Sequence, residues 1–298
     1  MADSHEAGPT NTRTPMYEAF HAARYQRQEL IRKIEAVTSR TLVCYVSGPA
    51  SAVDRDDIIG LVEVLHNVPR DTNVDLLLHT GGGDIDAAEK FVSLLRRTVG
   101  TGELRVVVPD FAKSAGTLIA LGADAIVMSD SSELGPIDPQ IVLGDGNGNL
   151  IRHSVQNYLD AYVQWSEALA RDPANLTAQL MLAKLDPARL TLFESVKLRA
   201  QQLAENHLKR GMFQKQPGPW TAIPVKLLDT KTYPAHGQMI DYEAAQQLEL
   251  VVTYLPPANE VWRMYWKLYC QQRLAVQDKH KLFESNFASL PLESTTRQ

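Results

Sequence analysis

Two cysteines, Cys44 and Cys270, are all that 298 residues contain, and they lie far apart. A disulfide framework is therefore excluded, and the reducing cytoplasm fits such a chain. Cys44 falls in an apolar run and reads as a buried thiol. No run approaches the ~18 apolar residues that span a bilayer, so no integral membrane segment is expected. The N-terminus carries Asp3, His5 and Glu6 without the apolar core of a secretion signal. Neither sign of charge dominates. The net charge of −5 gives no electrostatic reason to expect nucleic acid or an anionic membrane as partner. His, Cys, Asp and Glu never fall at zinc spacing, so no metal is expected. Neither G-x-G-x-x-G nor a Gly-Lys-Ser/Thr phosphate loop occurs at the glycine-rich stretch, so no nucleotide cofactor is expected either.

What remains is an ordinary globular composition, 44% hydrophobic and 22% charged. Short apolar runs alternate with helical patterns. Thr41 to Val46, Val74 to Leu78, Leu104 to Val108 and Ala125 to Met128 read as strands. Asp54 to Asn67, Ile85 to Val99 and Ser114 to Gly122 read as helices. Continuously apolar strands separated by helices predict a parallel sheet covered on both faces, an α/β fold. Residues 1 to about 15 read as disordered, and 16 to 38 as an amphipathic helix. Gly144 to Asn149 reads as a surface turn and lacks the span and closing Glu of an EF-hand loop. Residues 153 to 209 read as helical, Asp241 to Leu248 as a short helix, and Leu250 to Leu255 as a last strand. Val261 to His280 reads as an aromatic-rich helix, with a tail from about Glu284.

Two glycine-bearing loops stand out, each between a strand and a helix. The first is His79-Thr80-Gly81-Gly82-Gly83-Asp84, the second Ala112-Lys113-Ser114-Ala115-Gly116-Thr117. A serine on a sharp strand-to-helix turn exposes its Oγ, and unpaired N–H groups at the helix start can receive an oxyanion. Glycine supplies N–H groups that no Cβ obstructs. In open parallel sheets such loops meet at the carboxyl ends of the strands. The plain alternatives are a helix N-cap for Ser114 and a passive turn for Gly81 to Gly83.

The blocks TLVCYVSGPA, Asp56-Asp57, LLLHTGGGDIDAAEKF, VVVPDFAKSAGTLIALGADAIVMSDSSELGPIDPQI and AHGQMIDYEAAQQLELVV resemble the serine dehydrogenase proteinase family. These are relatives of signal peptide peptidase A within the Clp protease/crotonase fold. The resemblance runs from about residue 41 to 255, which leaves residues 1–40 as N-terminal tail and helix and 256–298 as C-terminal helix and tail. Many members look membrane-anchored; this chain carries no such segment. The resemblance implies a serine peptidase with Ser114 as nucleophile and the backbone N–H groups of Gly82 and Ala115 as oxyanion hole, with Gly83 as accessory. Members of the fold usually assemble, so a homo-oligomer acting on peptide or protein substrate is implied.

Clp protease places a histidine shortly after the serine, but here that stretch reads Gly135-Pro136-Ile137-Asp138-Pro139. Signal peptide peptidases use lysine, which turns attention to Lys197. It sits in the stripe Leu190, Phe193, Val196, Ala200, Leu203, where desolvation lowers an ammonium's pKa toward that of a neutral base. Lys184 is its competitor. Lys113 adjoins Ser114 but points away in an extended loop. His236, in AHGQMI, reads as a structural or supporting residue with base as the second option. His79 and Asp138 read as loop braces.

Three other functions share these features. An α/β-hydrolase esterase is disfavoured by Ala112 where its serine motif needs Gly. A crotonase-like acyl-CoA enzyme would not need Ser114, and a non-catalytic scaffold would keep only the fold. The dense aromatics Trp262, Tyr265, Trp266 and Tyr269 add a reason to expect an interface between copies, the plain alternative being that this helix covers the protein's own sheet.

Overall fold

The computed structural model describes residues 13–144, 150–277 and 280–293. In chain order, α1 (Pro15–Phe20) and α2 (Ala22–Thr38) precede β1 (Thr41–Ser47), α3 (Asp57–Leu65) and β2 (Val74–His79). Then come α4 (Ile85–Val99), β3 (Leu104–Val107), β4 (Phe111–Ala112), α5 (Ala115–Leu121), β5 (Ala125–Met128) and β6 (Glu133–Leu134). The hairpin β7 (Gln140–Gly144) and β8 (Leu150–Ser154) opens a helical excursion of α6 (Val155–Arg171), α7 (Leu176–Ala183) and α8 (Pro187–Arg210). The chain continues through α9 (Ala222–Leu228), α10 (Tyr242–Gln247), β9 (Val252–Tyr254), α11 (Glu260–Ala275), β10 (His280–Glu284) and β11 (Ser289–Glu293).

Seven strands form the central sheet in the order β11-β10-β1-β2-β3-β5-β9. β1, β2, β3, β5 and β9 run parallel, whereas β10 and β11 are antiparallel additions beside β1. Side-chain alternation splits the core. Val43, Tyr45, Leu76, Leu78 and Val106 pack with Leu61, Phe91, Leu118 and Leu203 from α3, α4, α5 and α8. Leu42, Cys44, Val46, Leu77, Val107 and Val127 pack on the other face against α2 and α11. This is the α/β fold that the sequence predicts, a mostly parallel sheet covered by helices on both faces. No helix among the described residues is long and apolar enough to cross a membrane.

Asp75 interrupts the apolar run of β2. It is buried and accepts from Arg40 Nε (2.5 Å), Arg105 Nη2 (2.7 Å) and the Tyr265 hydroxyl (2.5 Å). A buried carboxylate survives only when its lone pairs are filled in this way.

The C-terminal region departs from expectation. The helix ends at Ala275, not near His280; β10 runs up to the start of the expected tail and β11 lies within it, so β9 is not the last strand. Lys281 and Glu284 hide the strand in the sequence, because both charges are buried and paired. Glu284 accepts from Arg27 Nη2 (2.9 Å), Gln272 Nε2 (3.0 Å) and Ser289 Oγ (2.7 Å). The aromatics of α11 also fall elsewhere. Trp262, Tyr265 and Tyr269 are buried on the protein's own sheet, leaving only Trp266 of the four partly open at 40%. That helix therefore gives no reason to expect an interface. The N-terminal helix breaks at His21, and α1 buries nothing. The expected turn at Gly144 to Asn149 lies, beyond Gly144, outside the described residues, as does the expected disorder of residues 1–12.

Candidate active site

Both glycine-bearing loops leave the carboxyl ends of their strands side by side. Thr80 N–H donates to Phe111 C=O (3.1 Å), and Lys113 N–H donates to Thr80 C=O (3.0 Å). These bonds continue the β2–β3 neighbourhood one step past the sheet. Gly82 (φ 110°) and Gly83 (φ 149°) then take conformations that a side chain would strain. Space gives a second reason for glycine. A Cβ on Gly82 would lie 2.7 Å from Ser114 Cβ and 3.3 Å from its Oγ. A Cβ on Gly83 would lie 2.2 Å from Val53 C=O. Asp84 ends the loop and caps α4, accepting from Asp86 N–H at 2.7 Å.

Ser114 holds φ 52° and ψ −114° immediately before α5, and its side chain makes no capping bond there. The N-cap reading therefore does not account for it. A positive φ on a non-glycine residue costs about 1–3 kcal/mol and persists where the surroundings enforce it. Here the enforcement is visible: Gly116 N–H closes a tight turn onto Lys113 C=O (2.7 Å), and every residue of α5 is buried. Ala115 is the first residue of α5, where the helix supplies no acceptor for its N–H. Gly82 N–H donates to Thr80 Oγ1 at 3.2 Å, a long bond that a charged oxyanion would displace.

A third segment completes the neighbourhood. Lys113 Nζ pairs with the Glu133 carboxylate and donates to Leu134 C=O (3.0 Å), Gly237 C=O (3.4 Å) and Gln238 C=O (3.3 Å). The lysine next to the serine thus staples the 237–238 segment to the serine loop. One residue earlier, His236 Nδ1 lies 2.7 Å from Asp138 Oδ1. Asp138 is buried, and its other oxygen accepts from Gln140 Nε2 (2.6 Å). That arrangement fixes the imidazole through Nδ1 and leaves Nε2 without a hydrogen bond among the described residues.

Lys197 is placed differently. It is half-buried on α8 and lines a shallow hollow of about 360 Å³ with Leu159, Asp160 and Val163 of α6. Neither glycine loop contributes to that hollow among the described residues. Lys184 is exposed at the end of α7. The structure thus brings together Ser114, Gly82, Gly83 and Ala115, with His236 in the adjoining segment, and does not bring Lys197 or Lys184 to them. Sequence reasoning missed Thr80, Val53 and the pairing of Asp138 with His236. That pair spans 98 residues, and no local pattern signals it. Among the described residues no His/Cys/Asp/Glu group could hold a metal ion.

Residues 22–154 match the model of the ClpP-like SDH-type serine proteinases. That is the family the sequence resembled. The match contains both loops and Asp138 and ends before Lys197 and His236. The chain is 41% identical over 86 residues to uncharacterized protein MJ0137 of Methanocaldococcus jannaschii, covering 29% of each. It is 31% identical over 117 residues to uncharacterized protein MJ1495 of the same organism, covering 39% of each. The chain thus spans less than two fifths of the length of these curated relatives. Among solved structures it is similar to a mutant of the 1510-N membrane-bound stomatin-specific protease, at 17% identity and TM-score 0.29 over 74% of this chain and 99% of that one. A second mutant of that protease, in complex with a substrate peptide, gives 15% identity and TM-score 0.31 over 78% of this chain and 98% of that one.

Two buried histidines near the glycine loops should make the fold sensitive to acid. Burial lowers the pKa of His79, which packs on Phe111 and Tyr269, to about 3. Burial lowers that of His207, whose Nδ1 lies 2.8 Å from Leu118 C=O, to about 4. Below pH ~6.5 the unfolded chain binds protons at both positions while the folded chain does not, so stability is complete above that value and falls with pH toward ~4. The expected loss is on the order of 3 kcal/mol for each histidine by pH ~4. Urea midpoints across this range check it, and His207→Gln should flatten the slope; an unchanged slope contradicts the assignment.

Proposed function

We propose that this protein is a serine peptidase working by acyl transfer, with Ser114 as nucleophile and the N–H groups of Gly82 and Ala115 as oxyanion hole. The observation that carries the reading is the strained Ser114 backbone wedged against Gly82. The serine Oγ attacks the scissile carbonyl, and its proton passes to a base. The tetrahedral oxyanion is held between the two N–H groups. Collapse releases the amine, which takes the proton from the base, and water then cleaves the acyl-enzyme by the same steps in reverse. Val53 N–H uses the Gly82 C=O, and Asp84 N–H uses the Val53 C=O. Among the described residues Gly83's own N–H and C=O make no backbone hydrogen bond, which supports recognition of an extended substrate backbone by strand addition. Alkyl fluorophosphonate should label Ser114 alone. A folded protein that does not label removes the reading.

Two bases compete. The Ser–Lys dyad with Lys197 requires α8 to deliver a side chain that now faces α6. His236 needs less, because Asp138 already orients it and Lys113 ties its segment to the serine loop. Ser114 and His236 share no hydrogen bond, so this assignment requires substrate binding to close that gap. The geometry favours His236 as base with Asp138 as its orienting carboxylate.

We further propose a homo-oligomer, now on different grounds. The helical excursion exposes Tyr162, Val163, Leu176, Leu180, Leu192 and Leu198, an apolar set that isolated chains seldom leave in water. Light scattering at micromolar concentration should give a multiple of 33.1 kDa; a monomer contradicts it.

A further inference from the structure

We infer that Lys281, on the C-terminal hairpin and outside the family match, is a positioning residue that holds the oxyanion loop in shape; this rests on the reading of Gly82 and Ala115 as oxyanion donors. Lys281 is 1% exposed, which for an ammonium demands full compensation. It receives that from Asp54 Oδ2 (2.6 Å) and Asp57 Oδ1 (2.8 Å). Neither carboxylate belongs to the sheet. Asp54 lies between β1 and α3 and Asp57 is the first residue of α3; the segment that leads into this helix touches the Gly82–Gly83 loop directly through Val53.

Two routes lead from Lys281 to the loop. In the first, Asp54 adjoins Val53, whose N–H donates to Gly82 C=O (2.8 Å) and whose C=O accepts from Asp84 N–H (2.8 Å). Glycine at 83 permits this backbone approach. In the second, Asp57 Oδ2 accepts from the Tyr45 hydroxyl (2.9 Å) and from Asp54 N–H (2.9 Å). The Tyr45 hydroxyl lies beside the Thr80 side chain, and Thr80 Oγ1 accepts from Gly82 N–H (3.2 Å). The loop is therefore hydrogen-bonded on its outer edge and packed from below, and both supports lead back to one ammonium. The hairpin is anchored in turn: β10 pairs with β1 in the register Ser47↔Lys281, and His280 C=O accepts from Gly48 N–H (2.8 Å). Glycines at 82 and 83 leave the loop little stiffness of its own, so its shape has to be imposed from outside.

Removing Lys281 alone strands a buried carboxylate and risks unfolding. The test therefore pairs Lys281→Met with Asp57→Asn, which removes both charges and keeps an acceptor for Tyr45. Asp54→Ala serves as a milder cut that leaves the Lys281–Asp57 pair intact, and Lys281→Arg as the conservative rescue. Two quantities are read on the full chain. One is amide exchange at Gly81–Asp84 against β3 and β5; the other is kcat and KM for an unstructured peptide. The double variant should exchange at the loop at least about 10-fold faster, with the strands unchanged. It should lose about 10- to 100-fold in kcat while KM stays within about twofold. Asp54→Ala should shift both quantities in the same direction by less, and Lys281→Arg should restore most of kcat. Wild-type loop exchange and wild-type kcat in the folded double variant, or in Asp54→Ala should the double variant not fold, overturn the inference. A loosened loop in a protein whose wild type never labels at Ser114 supports the clamp and removes the peptidase reading instead.

Discussion

Ser114→Ala is expected to abolish peptide hydrolysis and fluorophosphonate labelling, with a loss of about 10⁴-fold or more, while the melting temperature changes by no more than ~2 °C. The side chain makes no hydrogen bond that the fold needs, and alanine keeps the Cβ that Gly82 accommodates. The strain, however, is in the backbone and remains in the alanine variant. Ser114→Gly should therefore be inactive and more stable than wild type by about 1 kcal/mol, because glycine tolerates φ 52°. A stabilised inactive glycine variant beside an alanine variant of wild-type stability separates a serine held for chemistry from one held for packing. Full hydrolysis by folded Ser114→Ala ends the nucleophile assignment.

Removing the base should cost nearly as much. His236→Ala and Asp138→Asn are each expected to lower kcat by about 10³- to 10⁴-fold, since the asparagine leaves the imidazole in the wrong tautomer. Lys197→Ala should stay within about threefold of wild type, because its surroundings are α6 side chains. The reverse pattern, a dead Lys197→Ala and an active His236→Ala, establishes the Ser–Lys dyad and shows that α8 moves when substrate binds. Circular dichroism of each variant confirms the fold. Asp138 needs that control most, being buried with Gln140 also bonded to it.

The contrast between the Ser114 loop and the Asp138–His236 pair also explains how much of the site was legible in the sequence. The serine loop, the glycine loop and α4 (Ile85–Val99) are local: apolar runs, an Asp cap at 84 and Gly100 beyond the last turn mark them in the sequence. Strand alternation likewise gave the parallel core. Features that depend on distant partners did not show. Lys281 and Glu284 look like surface charge until Asp54, Asp57 and Arg27 meet them. The α11 aromatics looked like an interface because nothing local tells a sheet face of the same chain from another molecule. Lys197 belongs to an apolar stripe, as its spacing suggested, but the stripe does not say which neighbour it faces.

The position of β10 has a consequence for how the chain is made. β1 forms early and pairs with β2 along one edge, but its other edge waits for residues 280–284. Until the ribosome delivers them, an apolar strand with bare N–H and C=O groups stands open to any other nascent copy. β11 then seals the finished sheet with Pro291, which has no N–H to offer. Chains stalled or clipped before residue 280 should therefore precipitate or require a chaperone, even though every residue of the two glycine loops has already been translated.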